Sequence, residues 1–321
     1  MPSFGPLLEN WTPEQSERME KAIFVANHRL QELEMFSDTS LAELIDRHPA
    51  HALGINTMGR DPAVNEWQEG LRGDLSAEDL LESARRGRVW LNFRRVMDYH
   101  REYHDLVHAL YDELESVCPG MFTFNRSANL LVSAPGAQVY AHVDSPLNML
   151  WHVRGVKRVW AYPLETGIVS AESIEKSLAG DKAEEIEFNP EWDDLAVVYD
   201  LQPGEMVTWP QHTPHRVQNT EGMNVSLSTE HFTKRALRKV NVYLANKHFR
   251  TLLPGDFRST ELDGFGPAFK EFALRIARRV PGIRPAPTKG FEYPVSFQVD
   301  LDAPDCIRPL DPQKAEAAPV S

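Results

Sequence analysis

Hydrophobic and polar positions change their period twice along this chain, giving a helical beginning, a stranded middle and a helical end. Thr12-Pro13-Glu14-Gln15 opens as a helix start, with Thr12 as N-cap, Pro13 at the first position and a Gln three residues on. Met19, Ile23, Ala26, Leu30 and Leu33 follow at helical spacing, which predicts one buried stripe on an N-terminal helix. A second helix is expected from Ser40 to Arg47, and a third after the capping box at Leu75 to Asp79, ending near Gly87. Val89 to Phe93 reads as a strand. Tyr99 to Val117 is helical, with Tyr103, Val107, Leu110, Tyr111 and Leu114 on one face and a stop at Pro119-Gly120. Gly54 to Gly73 shows no clear period; Met58 to Pro62 reads as a turn, and Trp67 as a cover over the core or a pocket mouth.

From Met121 the period shifts toward two. Met121 to Phe124, Asn129 to Ala134, Gln138 to Asp144, Leu147 to Arg154 and Lys157 to Pro163 read as strands, divided by turn signals at Pro135-Gly136, Ser145-Pro146 and Gly155. Leu164 to Asp194 interrupts them with a helix at Ala171 to Leu178 and an acidic run at Glu184 to Glu187, a lid, a substrate wall or a surface excursion. Leu195 to Tyr199, Glu205 to Trp209, His215 to Asn219 and Met223 to His231 supply four further strands. Lys234 to Leu252 and Gly266 to Arg279 are amphipathic helices, Pro281 to Gly290 is a Pro-rich connection, and Phe291 to Val299 is a late strand. Gln313 to Ser321 has the composition of a disordered tail.

At 321 residues, with 42% hydrophobic and 25% charged, the chain has the balance of an ordinary soluble protein able to bury a large core. Three segments are expected: 1–119, a helical and mixed part packing on the core; 120–232, the β-core that holds the site; and 233–321, a helical part and tail. Cys118 and Cys306 are too few and too far apart for a disulfide framework or a zinc site, and read as unpaired thiols of a reducing compartment. The N-terminus lacks a basic start and an apolar core, and no apolar run reaches the roughly 18 residues that span a bilayer, so a cytoplasmic protein without a membrane partner is expected. A net charge of −13 argues against a nonspecific grip on nucleic acid. The local basic clusters, such as Arg85-Arg86 and Arg238-Lys239, read as solvated ends of elements.

Candidate chemistry gathers in two places. His142 and Asp144 are one residue apart, so on a strand both side chains leave the same face and are able to grip one metal ion. His215, far enough along to return on another strand, is the candidate third ligand. Two imidazoles and one carboxylate on one side of a metal leave the other side open, which suits non-heme Fe(II) enzymes that activate oxygen. His100, His104 and His108 repeat every fourth residue, but no carboxylate completes a site there, and a solvated or substrate-facing edge is the reading. His28, His48 and His51 lack partners at metal spacing and read as surface or capping residues. His212 precedes the strand in a turn and Glu205 occupies an acidic turn; His152 reads as a wall residue, since a fourth ligand would close an open position.

His142-x-Asp144, then Asn148, then Gly155-Val156-Lys157-Arg158 resembles the JmjC-type and cupin-like 2-oxoglutarate dioxygenases, most closely the asparaginyl hydroxylase of the hypoxia response. Pro203-Gly204-Glu205, Trp209-Pro210 and His215-x-Val217-x-Asn219 look like that family's second strand pair, and the resemblance covers about residues 120 to 232. It implies a mainly β fold with helical flanks, a double-stranded β-helix (jelly roll, cupin-like) core between N-terminal and C-terminal helices. It implies Fe(II) on His142, Asp144 and His215, and 2-oxoglutarate as cosubstrate, its distal carboxylate on Lys157. The pocket residues it points to are Asn148, Asn219, Ser228 and Tyr140. Two positions depart from the pattern. Val139 stands where the hypoxia hydroxylase has a cosubstrate-binding threonine, so Tyr140 is the candidate to supply that hydroxyl, or a packed barrel aromatic; Ser228 stands where the relative has a pocket asparagine. The implied activity is hydroxylation of a C–H bond in a peptide or small molecule with O2, releasing succinate and CO2, and by analogy the C-terminal helices form a homodimer. A metal-binding cupin without 2-oxoglutarate turnover and a non-catalytic binding module are the alternative readings.

Overall fold

Two long strands, Leu147–Ala161 and His215–Phe232, run antiparallel along each other and organise the molecule. The computed structural model describes residues 4–181, 186–253, 255–283, 293 and 295–311. In chain order the strands are β1 (Leu8–Glu9), β2 (Phe24–His28), β3 (Leu53–Thr57), β4 (Gln68–Leu71), β5 (Trp90–Phe93), β6 (Phe124–Ser133), β7 (Gln138–His142) and β8 (Leu147–Ala161). They continue with β9 (Val197–Leu201), β10 (Glu205–Thr208), β11 (His215–Phe232), β12 (Val295–Val299) and β13 (Ile307–Pro309). The helices are α1 (Pro13–Arg18), α2 (Asp38–Arg47), α3 (Ala77–Arg86), α4 (Val96–Tyr99), α5 (Arg101–Val117), α6 (Ala171–Leu178), α7 (Lys234–Leu252) and α8 (Phe265–Ala277).

The sequence predicts a turn at Gly155 and a break after Asn219, but β8 and β11 each pass through these points as one strand. Gly155 takes φ +79 and Gly222 takes φ +64, and the β8–β11 register shifts between Asn219 and Ser226. A bulge with left-handed glycines turns the chain without ending the ladder, which local sequence does not separate from a hairpin. On one side of the bend β8 pairs with β10 and β11 with β6; on the other, β8 pairs with β9 and β11 with β7. Both strands therefore serve two facing layers, the arrangement of a double-stranded β-helix. One layer extends along β1-β2-β10-β8-β11-β6-β5-β3-β4-β12-β13.

The N-terminal helix is far shorter than its stripe predicts. The Thr12 capping box forms, yet α1 ends at Arg18 and Glu20 enters the left-handed region at φ +62. Phe24, Ala26 and His28 then alternate into the core as β2, which adds to β10. Only Ala26 belongs to both the helical stripe and this alternation, and a sheet edge needing a partner decides between the two readings. The late strand is found at Val295–Val299, parallel to β4; the first four residues predicted for it, the tail from Gln313 and most of the Pro281 to Gly290 connection lie outside or only partly within the described residues.

Elsewhere the helix signals hold: Ser37, Ser76 and Thr233 cap α2, α3 and α7 with their hydroxyls. Leu41, Leu44, Leu80, Leu106, Leu110 and Leu114 pack from the helices onto Leu91, Leu130, Val132, Met149 and Trp151 of the sheet. His28 and His48, read as surface or capping positions, are buried. His28 Nδ1 accepts from the Leu30 amide at 3.1 Å, completing a turn, and His48 Nδ1 meets His100 Nε2 at 2.9 Å, joining the end of α2 to the start of α5. Cys118 and Cys306 are free and buried. No helix among the described residues is long and apolar enough to cross a membrane.

Candidate metal centre and its cavity

His142 closes β7 and His215 opens β11, and the two are direct cross-strand partners. Cross-strand partners on one face stand close together, and here the imidazole centroids are 4.2 Å apart. Asp144 lies just past the end of β7 rather than on the strand, in the extended link to β8. Its carboxylate still reaches both rings: Oδ1 is 3.7 Å from His142 Nε2 and Oδ2 is 3.5 Å from His215 Nε2. One ligand atom from each of the three lies within 4.8 Å of the others, and no other such group of His, Cys, Asp and Glu occurs among the described residues.

The donor chemistry of this cluster fits a cation. His142 Nδ1 lies 2.8 Å from the Tyr140 carbonyl and His215 Nδ1 lies 3.0 Å from the Thr213 carbonyl. A carbonyl only accepts, so each Nδ1 carries the proton and each Nε2 turns a lone pair toward Asp144. Asp144 Oδ2 is buried with no hydrogen-bond partner. Three acceptors face one another with no proton between them, an arrangement whose missing component is a positive ion. Burial, and then the neighbouring His142, push the His215 imidazole down to about 4, so it is neutral near pH 7. Trp209 stacks on its outer face, centroids 4.1 Å apart, fixing the ring plane.

The cluster opens into a cavity of about 270 Å³ between the two layers. Lys157, 4% exposed, lines the same cavity from the second half of β8. Its register partner on β11 is Asn219, whose Oδ1 accepts from Lys157 Nζ at 2.6 Å. Asn219 is held in turn, its Nδ2 donating to Ser133 Oγ at 2.8 Å and to the Ala134 carbonyl at 2.7 Å. Burial alone pushes the Lys157 ammonium down to about 7, and no carboxylate among the described residues pairs with it. On the facing wall Asn148 and Ser228 both line the cavity and bond each other, Asn148 Nδ2 to Ser228 Oγ at 3.2 Å.

Tyr140 also lines the cavity, and its hydroxyl oxygen is engaged from outside it. Its hydroxyl oxygen accepts from the Gly59 amide at 3.1 Å and the Glu66 amide at 2.8 Å, pinning the Gly59 to Trp67 segment beside the cavity. Gln138 Nε2 adds a bond to the Gly59 carbonyl at 2.8 Å. The phenol thus holds a wall segment and packs with Met58 and Trp90, and accepting two bonds leaves its O–H available as a donor on the cavity it lines. His152, expected as a wall residue, does not line the cavity but is fully buried, bonded to Ser226 Oγ at 2.9 Å and to the Gly155 carbonyl at 3.0 Å, and His212 sits in left-handed backbone at φ +68 outside the cluster. His104 and His108 stack at 4.4 Å on α5 with no third ligand.

Sequence reasoning missed several lining residues: Trp90 and Asn92 on β5, Asn129 and Ser133 on β6, and Glu230 on β11. The signal was present in the alternation Asn129, Leu131, Ser133, which marks a polar inward face, but the site was sought only around the metal ligands. The insertion after β8 docks against the metal-bearing strands. The Ile186 amide donates to the Ala141 carbonyl, and Arg216, next to His215, lies 3.4 Å over Trp160 and ion-pairs with Asp193.

No protein-family model matches the chain, and no curated protein matches it. Solved structures do. The X-ray structure of Escherichia coli ycfD superposes with a TM-score of 0.52 at 15% identity, covering 87% of this chain and 71% of that one. A crystal structure of the Escherichia coli ribosomal oxygenase YcfD gives 0.50 at 13%, covering 87% and 70%. A third structure, of that oxygenase in complex with cobalt and 2-oxoglutarate, gives 0.49 at 15%, covering 86% and 68%. At such identities the likeness establishes a shared fold.

Proposed function

We propose that this chain, which shares the fold of that ribosomal oxygenase, is an Fe(II)- and 2-oxoglutarate-dependent oxygenase. The reading is carried by one observation: a buried ammonium without a carboxylate partner among the described residues, Lys157, shares a cavity with a His-Asp-His cluster whose three facing acceptors suit a cation. A dicarboxylic acid answers both ends, one carboxylate neutralising Lys157 in a site where water is scarce and the attraction correspondingly strong. His142, Asp144 and His215 would hold the metal. When bound, iron and 2-oxoglutarate would supply oxygen activation, with release of succinate and CO2 and insertion of one oxygen atom into a C–H bond.

The chain's own residues do the rest. The Tyr140 and Thr213 carbonyls fix both imidazoles in the ligating tautomer. Asn219, braced by Ser133 and Ala134, holds the Lys157 ammonium at the depth where a second carboxylate would reach it. Asn148 and Ser228, bonded to each other on the cavity wall, would be placed to donate to an oxygen atom of the cosubstrate. Trp209 excludes water from the back of His215.

The substrate is a peptide or a small molecule, and the shared fold with a ribosomal oxygenase favours a protein side chain. The test is direct. The Mn(II)-loaded protein, heated with and without 2-oxoglutarate, should melt higher with it, and Lys157→Met should lose the shift while still binding metal. Absence of any 2-oxoglutarate-dependent shift in the parent would leave a metal-binding cupin of another chemistry.

A further inference from the structure

A second cavity, of about 260 Å³, adjoins the metal cluster of the oxygenase proposed above. Ser177 and Leu178 of α6 close it on one side, and Val143, Asp144 and His212 on the other. Asp144 lines both cavities, so its carboxylate is a wall between them. His212 is 2% exposed, yet neither of its ring nitrogens has a hydrogen-bond partner among the described residues. The backbone of Ser145 comes near the ring, but its carbonyl already accepts from Gln211 Nε2 at 2.7 Å. The turn that carries His212 is braced on both sides: the Gln211 carbonyl accepts from Lys239 Nζ at 2.7 Å, and the Thr213 carbonyl accepts from His215 Nδ1. Positive φ is uncommon outside glycine, and His212 takes +68, with Tyr243 of α7 packed edge-on against its ring at 5.4 Å between centroids.

Two unpartnered ring nitrogens inside a protein are costly, and such a side chain is kept where something polar meets it. Burial, and then the Lys239 ammonium, push the His212 imidazole down to about 3. Near pH 7 it is therefore neutral, with one nitrogen to donate and one to accept. Asp144 Oδ2 is likewise buried without a partner. The chamber is far larger than one water molecule needs, and Ser145 and Ser177 add polar neighbours to its lining. We infer that the chamber binds structural water through which His212 holds the Asp144 carboxylate, making His212 a positioning residue for the metal. A water held by the imidazole donates to one carboxylate oxygen and leaves the other to the metal. Asp144 then ligates through a single atom, and the open face of the cluster stays open. The inference rests on the metal cluster of the oxygenase reading and not on its cosubstrate.

The test titrates Co(II) into the full chain without 2-oxoglutarate, followed by calorimetry and by visible absorption. His212→Leu removes both ring nitrogens, and Ser177→Leu fills the chamber from α6 while leaving His212 in place. Each should weaken Co(II) binding about 10- to 100-fold, the usual cost of losing a partner that orients a metal ligand. Each should also shift the ligand-field bands of Co(II), as the carboxylate swings toward binding through both oxygens, a change that weaker folding alone does not give. His212→Asn keeps a donor and an acceptor and suits left-handed backbone, so it should recover most of the affinity and the parent spectrum. A crystal structure of the Zn(II) form should hold a water bonded to both His212 and Asp144. Should His212→Leu fail to fold, Ser177→Leu carries the test. Parent-like affinity and spectrum in either folded variant, or a chamber without such a water, overturn the inference and leave the oxygenase reading standing. A parent that binds no Co(II) overturns both. Failure of 2-oxoglutarate to bind, with the Co(II) effects intact, brings down the oxygenase reading alone.

Discussion

Replacing Lys157 by Met should make the metal-free protein more stable near neutral pH while removing its grip on 2-oxoglutarate. Lys157 is 4% exposed, and burial lowers its ammonium from 10.5 to about 7. That difference, at about 1.4 kcal/mol per unit, amounts to about 5 kcal/mol of destabilisation. Because the folded value is the lower one, the folded protein binds fewer protons than the unfolded chain between about pH 7 and 10.5, and stability rises across that window. The cost is thus complete below about pH 7 and gone above about pH 10.5. Met fills the same straight channel but leaves Asn219 Oδ1 without its 2.6 Å donor, a loss of about 2 kcal/mol that does not depend on pH. The variant should therefore be about 3 kcal/mol more stable than the parent at pH 7, lose that lead as pH rises, and fall behind it by about 2 kcal/mol near pH 10.5. Urea unfolding of both proteins from about pH 6.5 to 10 measures the difference, in which other titrating groups cancel. Two stability curves that stay parallel over this range would refute the argument, since they would mean that Lys157 carries no buried charge.

Four further outcomes follow from the same contacts. His215→Ala should abolish the rise in melting temperature that Mn(II) gives the parent, and chelation of the parent should lower its melting temperature toward the variant's. Tyr140→Phe keeps the ring but strands the Gly59 and Glu66 amides; we expect about 1–3 kcal/mol lost and faster hydrogen exchange at those two amides, with 2-oxoglutarate affinity unchanged. Arg216→Lys removes the planar group over Trp160 and the paired contact with Asp193, so limited proteolysis between β8 and β9 should accelerate. Gly155→Ala would place a methyl 2.4 Å from Asn224 Nδ2 at φ +79 and should cost more than about 1 kcal/mol, read as a lower urea midpoint.

The sequence displays the metal cluster because its elements are local: His-x-Asp at a strand end, and a histidine opening a later strand. Asp144 nevertheless works from just beyond the strand, so the same-face argument reached the right residues by a geometry slightly different from the one observed. Lys157 was legible only through resemblance, since a lysine after a glycine reads in isolation as solvated. The courses of β8 and β11 were not legible, because Gly155 and Gly222 signal a change of direction without telling whether the ladder survives it. β2 was mistaken for helix because Ile23, Ala26 and Leu30 fit a helical stripe, while the edge of β10 that recruits the segment lies far away in sequence. That the Gly59 and Glu66 amides donate to the Tyr140 oxygen was not legible either, because they lie far from it in sequence.

The unbroken course of β11 links compartments that chemistry would keep separate. It begins with His215, passes Asn219 beneath Lys157, turns at Gly222, and ends with Ser228 and Glu230. A slip of one residue along its neighbours would turn every one of these side chains to the opposite face. In the proposed function, metal grip and cosubstrate anchoring are in this way tied to a single alignment, and natural variation has little freedom to retune one of them by moving this ribbon. Divergence among enzymes built like this is instead expected in the excursion between β8 and β9 and in the segment held by Tyr140, which border the cavity without setting its frame.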